Sequence, residues 1–197
     1  MQESTYYGTY HHTTPEQSET IRSELKVAFE EVFAYIYQEN VIEKVLDAGC
    51  GLGFLCEQAA KFFPKSSVIG VDLFGSSSLP EGDLKRAEQN MQIAGLNGRV
   101  EFIKADITKI SFQENYFDLV ISNLVFHNLG KARYKAYSNI RDMLKTGGFF
   151  VIGDFFRPKD KETLKGLFSI IIDKGNINQM PPQYSIMILK KRNTKLS

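Results

Sequence analysis

The chain of 197 residues is 43% hydrophobic and 24% charged, which excludes a disordered or fibrous protein and suits one globular domain rather than two. Its 24 Lys and Arg nearly balance 23 Asp and Glu, so net charge does not favour nucleic-acid binding. No apolar run approaches the length needed to span a membrane, and the first ten residues are polar. The two cysteines form neither a metal tetrad nor a disulfide framework. We therefore expect a cytoplasmic protein without a metal site.

The N-terminal segment, residues 1–40, begins with a polar and aromatic stretch, and the residues after this stretch are predicted to form a helix. Thr14, Pro15 and Glu16 form a typical helix start, with proline in the first turn. The tyrosines before it have two open interpretations: a lid over a binding site, or a terminus that only packs its rings. Apolar residues then recur at three- and four-residue steps, which predicts one core-facing helix side: Ile21, Leu25, Phe29, Val32, Phe33 and Ile36.

From residue 44 onward, short apolar runs alternate with helical stretches. This alternation requires crossover connections and predicts an α/β fold with a parallel sheet covered on both faces. The expected helices lie near 54–62, 84–94 and 132–143. The expected strands are 44–47, 67–72, 100–104, 117–122 and 148–154.

The C-terminal part leaves two alternatives for residues 162–173: a helix throughout, or a helix that turns into a strand at 168–172. We favour the second. Residues 184–190 alternate apolar and polar side chains, which predicts a final strand, antiparallel, at or near the sheet edge.

The most informative segment is 45–54, an apolar strand followed by an acid and by glycines at alternate positions before a helix. Such glycines let the backbone approach a ligand closely. A nicotinamide or flavin dinucleotide site is the obvious alternative, but its fingerprint requires glycine where Phe54 stands. A pyrophosphate crossing this turn would meet a bulky ring.

The segment resembles motif I of the class I S-adenosylmethionine-dependent methyltransferases, an acid followed by G-x-G-x-G. Three further landmarks of that family follow in order: 68–72 ending in Asp72, 100–107 with Asp106, and 117–123 with the turn at 144–149. The resemblance implies a three-layer Rossmann-like sandwich with a mostly parallel seven-stranded sheet and an antiparallel C-terminal strand. One domain, 1–197, would hold a lid segment and helix (1–40), a cofactor-binding core (44–154) and a C-terminal helix with edge strands (155–197).

The resemblance also implies S-adenosylmethionine as cofactor, with S-adenosylhomocysteine as product. Asp72 would accept the ribose hydroxyls, Asp106 would meet the adenine amino group, and Asp47 would orient the turn and reach the methionine amino group indirectly. Each of the three could instead cap the following loop or helix. The complete set of implied cofactor contacts is Asp47, Gly49, Cys50, Gly51, Gly53, Asp72, Leu73, Asp106, Ile107 and Asn123.

The expected activity is methyl transfer, by in-line displacement, to a small-molecule acceptor. His127, the only histidine beside the expected site, is the candidate base, and it could alternatively bond only to backbone at a helix start. Tyr6, Tyr10, His127 and Asn128 are the candidate acceptor contacts. Methylation of RNA or protein, or cofactor binding by a non-catalytic regulatory protein, are the alternatives, and a homo-oligomer stays open.

Overall fold

The computed structural model describes residues 4–75 and 82–192; the ends of the predicted lid segment and C-terminal part lie outside this range. Each element is bounded as follows. The helices are α1 Pro15–Glu39, α2 Phe54–Phe62, α3 Leu84–Ile93, α4 Ala132–Met143 and α5 Pro158–Leu167, with a 3₁₀ helix at Phe126–Leu129. The strands are β1 Lys44–Ala48, β2 Ser67–Asp72, β3 Val100–Lys104, β4 Phe117–Asn123, β5 Leu144–Phe155, β6 Phe168–Lys174 and β7 Tyr184–Lys191.

The described strands form a seven-stranded sheet in the order β3-β2-β1-β4-β5-β7-β6. All run parallel except β7, which is antiparallel to both β5 and β6. This confirms the predicted mixed sheet and places β7 one strand inside the edge. The strand order reverses between β1 and β4, where α/β proteins bind ligands beyond the carboxyl ends of the strands.

Two hydrophobic cores flank the sheet, which makes three layers. One core joins α1, α2 and α3 to one face and contains Phe29, Phe33 and Phe63. The other joins α4 and α5 to the opposite face and contains Tyr137 and Phe150. Because side chains alternate along a buried parallel strand, both faces of β1 and β4 are apolar. The predicted three-layer sandwich is confirmed.

Helix α1 begins as its sequence indicates. The Thr14 side chain accepts a hydrogen bond from the Gln17 amide, and the Gln17 side chain accepts one from the Thr14 amide, which together form a capping box ahead of Pro15. Along the helix, five of the six expected core residues are buried, and Ile21 is partly buried beside a cavity.

The switch from α5 to β6 at Phe168 confirms the favoured alternative for residues 162–173. Strand β5 begins four residues before its predicted start, because Leu144 pairs with Phe117 ahead of a shift in register. The 3₁₀ helix after β4 was not predicted. In the part of the chain that the structure describes, no helix has the length and apolar character needed to cross a membrane.

Candidate functional site

A cavity of about 500 Å³ lies at the carboxyl ends of the parallel strands, at the point where the strand order reverses. Its volume is within the range of small-molecule sites. Most of the residues expected from the sequence meet in its wall: Tyr10, Asp47, Gly49, Cys50, Gly51, Asp72, Leu73, Asp106, Ile107, Asn123, His127 and Asn128.

Gly49 opens the glycine turn after β1, and its position requires glycine for two reasons. Its φ angle is +82°, in the left-handed region that other residues avoid. A Cβ atom there would also lie 2.3 Å from Cγ2 of Val125, a residue of the loop after β4. The turn and that loop therefore touch, and the cavity opens beside their contact.

The first three backbone amides of the turn already have partners within the protein. The amides of Gly49 and Cys50 both donate to the Val71 carbonyl, and the Gly51 amide donates to Asp72. A pyrophosphate is normally bound by such amides at a helix N-terminus, so this turn is poorly suited to one. The geometry supports the argument against a dinucleotide.

Gly53 lies outside the cavity wall, although the family resemblance implied that it contacts the cofactor. It has φ +90°, and a Cβ atom would approach the Phe102 ring to 2.9 Å and the Met91 methyl to 3.2 Å. Its small size serves packing at the start of α2. Its two neighbours, Leu52 and Phe54, line the cavity.

Asp72 ends β2 with its carboxylate in the cavity wall. One oxygen accepts from the Gly51 amide at 3.0 Å and the other from the Phe74 amide at 2.9 Å. Each carboxylate oxygen can accept a further hydrogen bond, so the group is held in place while retaining capacity for ligand hydroxyls.

Asp106, on the loop after β3, combines the local capping role with a place in the wall. One oxygen accepts from both the amide and the hydroxyl of Thr108, and the other pairs with the exposed Lys109 at 3.1 Å. The bonds from Thr108, followed by Lys109, lower the pKa of Asp106, which therefore stays ionised near neutral pH.

Asp47 is buried at the end of β1. Burial raises its pKa to about 7, an effect that a hydrogen bond from the Cys56 thiol opposes and the charge of Asp72 increases. Burial also raises the pKa of Cys50 to about 11 and holds the pKa of Cys56 well above its usual range, so both thiols stay protonated. Cys50 fills the space above Gly70, where a Cβ atom would lie 2.9 Å from its sulfur.

The N-terminal segment is tied to the fold by Asn90 on α3. The Asn90 side chain bonds to the amide and the carbonyl of Tyr6 and to the carbonyl of Leu52. The Tyr6 ring lies under the Arg86 guanidinium and not in the cavity, in contrast to its expected acceptor contact. Tyr7 lines the cavity instead, packed edge-on against Phe54.

Arg22 on α1 fixes the same segment from the other side. It is buried, donates to the carbonyls of Tyr7 and Gly8, pairs with Glu19 at 2.8 Å, and lies 5.1 Å from the centre of the Tyr10 ring. Tyr10 reaches the cavity as expected. Together these contacts hold the N-terminal segment against the cavity.

Two further histidines, His11 and His12, also line the cavity. The expectation that His127 is the only histidine at the site was therefore wrong. The sequence showed both residues, but only the folded N-terminal segment brings them next to the strand ends.

His127 lies on the 3₁₀ helix after β4, where its Nδ1 is 2.6 Å from Asp154 Oδ1. Asp154 is buried at the end of β5, and the His127 side chain is 29% exposed. The carboxylate also accepts the amides of Phe126, His127 and Phe155. Because a carboxylate accepts the Nδ1 proton, the neutral ring keeps its lone pair on Nε2.

Asn123, at the end of β4, accepts a hydrogen bond from the buried Tyr184 hydroxyl at 2.6 Å. Sequence reasoning missed both Tyr184 and Asp154 as residues of the site, although each lies in a predicted strand. An acid directly after the apolar run 149–153 was the available signal for Asp154.

The residues fit the implied cofactor. S-adenosylmethionine carries a cationic sulfonium and no phosphate, and the cavity wall holds the carboxylates Asp72 and Asp106 beside the partly ionised Asp47. This charge would attract a cation and repel a pyrophosphate. Among residues 4–75 and 82–192, no three His, Cys, Asp or Glu side chains are arranged to hold a metal ion.

Comparison with known families agrees with this geometry. A family model described as Methyltransferase domain matches residues 40–192. The chain is 30% identical over 119 residues to a malonyl-[acyl-carrier protein] O-methyltransferase of Bacillus cereus, covering 60% of this chain and 40% of that protein. It is 29% identical over 111 residues to a U6 snRNA (guanine-N(2))-methyltransferase of Bos taurus, covering 55% and 21%. The chain thus spans less than half the length of these relatives.

Solved structures show the same fold. A putative S-adenosylmethionine-dependent methyltransferase of Methanococcus maripaludis superposes with a TM-score of 0.66 at 20% identity, covering 92% of this chain and 90% of that one. The N-methyltransferase NodS of Bradyrhizobium japonicum, in complex with S-adenosylhomocysteine, gives 0.62 at 15% identity over 84% and 87%. The chain therefore belongs to the methyltransferase domain family and has the Rossmann-like fold of the class I S-adenosylmethionine-dependent methyltransferases.

Proposed function

We propose that this chain binds S-adenosylmethionine in the cavity and transfers its methyl group to a small-molecule acceptor, with His127 as the general base. The observation that carries the proposal is the bond between His127 Nδ1 and the buried Asp154, which leaves Nε2 at the cavity as a proton acceptor. A base held in this way is needed only if a proton has to leave the acceptor.

The cofactor would be held by residues of the segment 44–154. Asp72 is fixed by two backbone amides and retains capacity for the ribose hydroxyls. Asp106 is ionised and suits the adenine amino group, and the Gly49 turn lets a ligand approach its backbone. Asp47 is partly ionised near neutral pH, and a cationic amino group of the cofactor nearby would favour its charged form.

When bound, the cofactor supplies an electrophilic methyl group on a sulfonium. The protein's contribution is to align the acceptor with that methyl group, exclude water and take up the acceptor proton. Asp154 holds the His127 ring in one orientation and compensates the charge that the ring gains with the proton. The N-terminal segment, held by Asn90 and Arg22, lies against the cavity and covers part of its opening.

A small acceptor is favoured over a macromolecule by the size of the site and by the segment that lies against it. The cavity of about 500 Å³ must accommodate both substrates, and the N-terminal segment lies against it with Tyr7 and Tyr10 in its wall. The near-neutral net charge of +1 offers little attraction for RNA. After Asn123 the chain continues with Leu124 and Val125. It therefore departs from the Asn/Asp-Pro-Pro-Tyr/Phe pattern of those class I methyltransferases that methylate exocyclic or amide nitrogens.

The experiment is methyl transfer from S-adenosylmethionine labelled in the methyl group. The protein is incubated separately with three fractions prepared from one cell extract: low-molecular-mass metabolites, RNA and protein. We expect label in the first fraction, reduced about 100-fold or more by His127→Ala. Label in RNA or protein would show a macromolecular acceptor. Retained cofactor binding without transfer to any fraction would show a binding protein.

A further inference from the structure

Asn123 and Tyr184 form a partly buried, hydrogen-bonded pair next to the proposed base. Asn123 ends β4 in the cavity wall, and Tyr184 begins β7 with its side chain fully buried. The Tyr184 hydroxyl is 2.6 Å from Asn123 Oδ1. Burial raises the pKa of Tyr184 far above its usual range, so the hydroxyl stays protonated and donates to Oδ1.

Gly153 makes this pair possible. A Cβ atom at this position would lie 2.1 Å from the Tyr184 hydroxyl and 2.7 Å from Asn123 Oδ1. Any other residue on β5 at this point would separate the two partners. Because Tyr184 engages the oxygen of the carboxamide, the Nδ2 amide group is the end that remains for a ligand in the cavity.

Asn123 and His127 both line the cavity, and their bonds to Tyr184 and Asp154 engage Oδ1 of the first and Nδ1 of the second. Asn123 Nδ2 can only donate a hydrogen bond, and His127 Nε2 can accept a proton. A hydroxyl matches both, since its oxygen accepts from Nδ2 while its proton moves to Nε2. An amine nitrogen that attacks with its lone pair gains nothing from a donor at that position. Nδ2 also stabilises the negative charge that grows on oxygen as the proton leaves.

An aromatic side chain lies beside His127 and gives this part of the cavity an apolar character. Phe155 packs edge-on against His127, with ring centres 5.2 Å apart, and against Tyr184 at 5.9 Å. Met180 and Pro181 add further apolar surface. A hydroxyl on an aromatic ring ionises near pH 10, as that of tyrosine does. It is therefore acidic enough for an imidazole base to remove its proton during the reaction.

We propose that the acceptor is an aromatic hydroxyl compound methylated on oxygen, and that Tyr184 selects oxygen by orienting Asn123. This inference rests on the proposed methyltransferase function. In the step, the hydroxyl proton moves to His127 Nε2 and the acceptor oxygen forms a bond to the methyl carbon. The bond from that carbon to sulfur breaks, and its electron pair stays on sulfur.

The test uses naphthalenes that differ only in the group at one ring position: naphthol, naphthylmethanol, naphthylamine and naphthoic acid. We expect the methyl ether of naphthol to form at least about tenfold faster than any other product, a ratio set by one hydrogen bond. Faster methylation of the amine or the acid would overturn the proposal. So would failure of naphthol to bind or react while cofactor binding persists. Loss of cofactor binding itself would instead contradict the proposed function.

A second measurement does not depend on turnover. In the complex with S-adenosylhomocysteine, naphthol should show the absorbance of naphtholate at a lower pH than it does free in solution. Asn123→Asp, which replaces the donor by a carboxylate, should abolish that shift while the fold persists. An unchanged shift would overturn the role of Nδ2.

The role of Tyr184 needs its own variant, because it acts through Asn123. Tyr184→Phe frees the carboxamide to turn, so kcat for naphthol should fall about tenfold while KM for the cofactor stays near its original value. Tyr37→Phe, on the exposed side of α1, is the matched control and should change neither constant. Equal kcat values for Tyr184→Phe and the unmodified protein would contradict the positioning role.

Discussion

The carboxylate of Asp154 lies 2.6 Å from Nδ1 of His127, although the two residues are 27 positions apart in the chain. The same carboxylate accepts the amides of Phe126, His127 and Phe155. One buried acid at the end of β5 therefore fixes both the side chain and the backbone of the loop that follows β4.

Replacing Asp154 by Asn should separate catalysis from cofactor binding. The new amide can donate to Nδ1, which would place the ring proton on Nε2 and remove the lone pair that the base needs. We expect kcat to fall about 100-fold or more, with little change in cofactor affinity measured by calorimetry. Asp173→Asn, on the edge strand β6, is the control. A kcat equal to that of the control would reject the proposed role.

Asp72 should account for a measurable share of cofactor binding. Changing it to Ala removes the acceptor for the ribose hydroxyls and the anchor of the Gly51 and Phe74 amides. Calorimetry should show binding weakened by about 1.5–3 kcal/mol. Asp173→Ala, on β6 and outside the cavity wall, should leave affinity unchanged. The same affinity for both variants would remove the ribose assignment.

Gly49 and Gly95 form a matched pair that separates backbone strain from steric overlap. Both have positive φ angles, +82° and +70°, but only at Gly49 would an added Cβ atom overlap a neighbour, Val125 Cγ2, at 2.3 Å. Gly95→Ala should cost about 1–2 kcal/mol in free energy of unfolding, from the left-handed conformation alone. Gly49→Ala should cost clearly more and also weaken cofactor binding, as urea unfolding and calorimetry would show. Similar costs for the two variants would contradict the close contact with Val125.

The buried acid Asp47 predicts a pH dependence of stability. Its pKa is raised to about 7, so the folded state holds this proton more tightly than the unfolded chain does. The contribution to the free energy of unfolding is therefore greatest below about pH 4 and is lost as pH rises to about 7.

Asp47→Asn should remove that loss in the cofactor-free protein. We expect the variant to gain about 2–4 kcal/mol relative to the unmodified protein between pH 4 and pH 8, measured by urea unfolding. Asn retains an oxygen that can accept from the Cys56 thiol. Parallel curves for the two proteins across this range would show that Asp47 is not shifted.

Most helices and strands could be predicted from the local sequence, because each has its own pattern of residues. The Thr14 capping box, the apolar steps along α1 and the alternation of strands and helices after residue 44 are short-range features. The missed start of β5 at Leu144 depends on pairing with Phe117, which no local pattern encodes. The 3₁₀ helix at Phe126 likewise depends on amides captured by Asp154.

The site likewise has a part that the local sequence predicts and a part that depends on long-range contacts. The glycine turn follows β1, and Asp72 ends β2, the next strand along the chain. Their proximity could therefore be predicted from the parallel sheet. The bonds of Asn123 with Tyr184 and of His127 with Asp154 join residues 61 and 27 positions apart, and depend on how β5 and β7 pack beside β4. Tyr6 was misplaced because Asn90 turns the N-terminal segment so that Tyr7 faces the cavity.

The central claim, that this cavity binds S-adenosylmethionine, is tested most directly by calorimetric titration of the cofactor-free protein with S-adenosylmethionine, S-adenosylhomocysteine and NAD. The carboxylates and the internally bonded glycine turn predict micromolar binding of the first two, about −8 kcal/mol, and none of NAD. Binding of NAD without binding of the other two would contradict it.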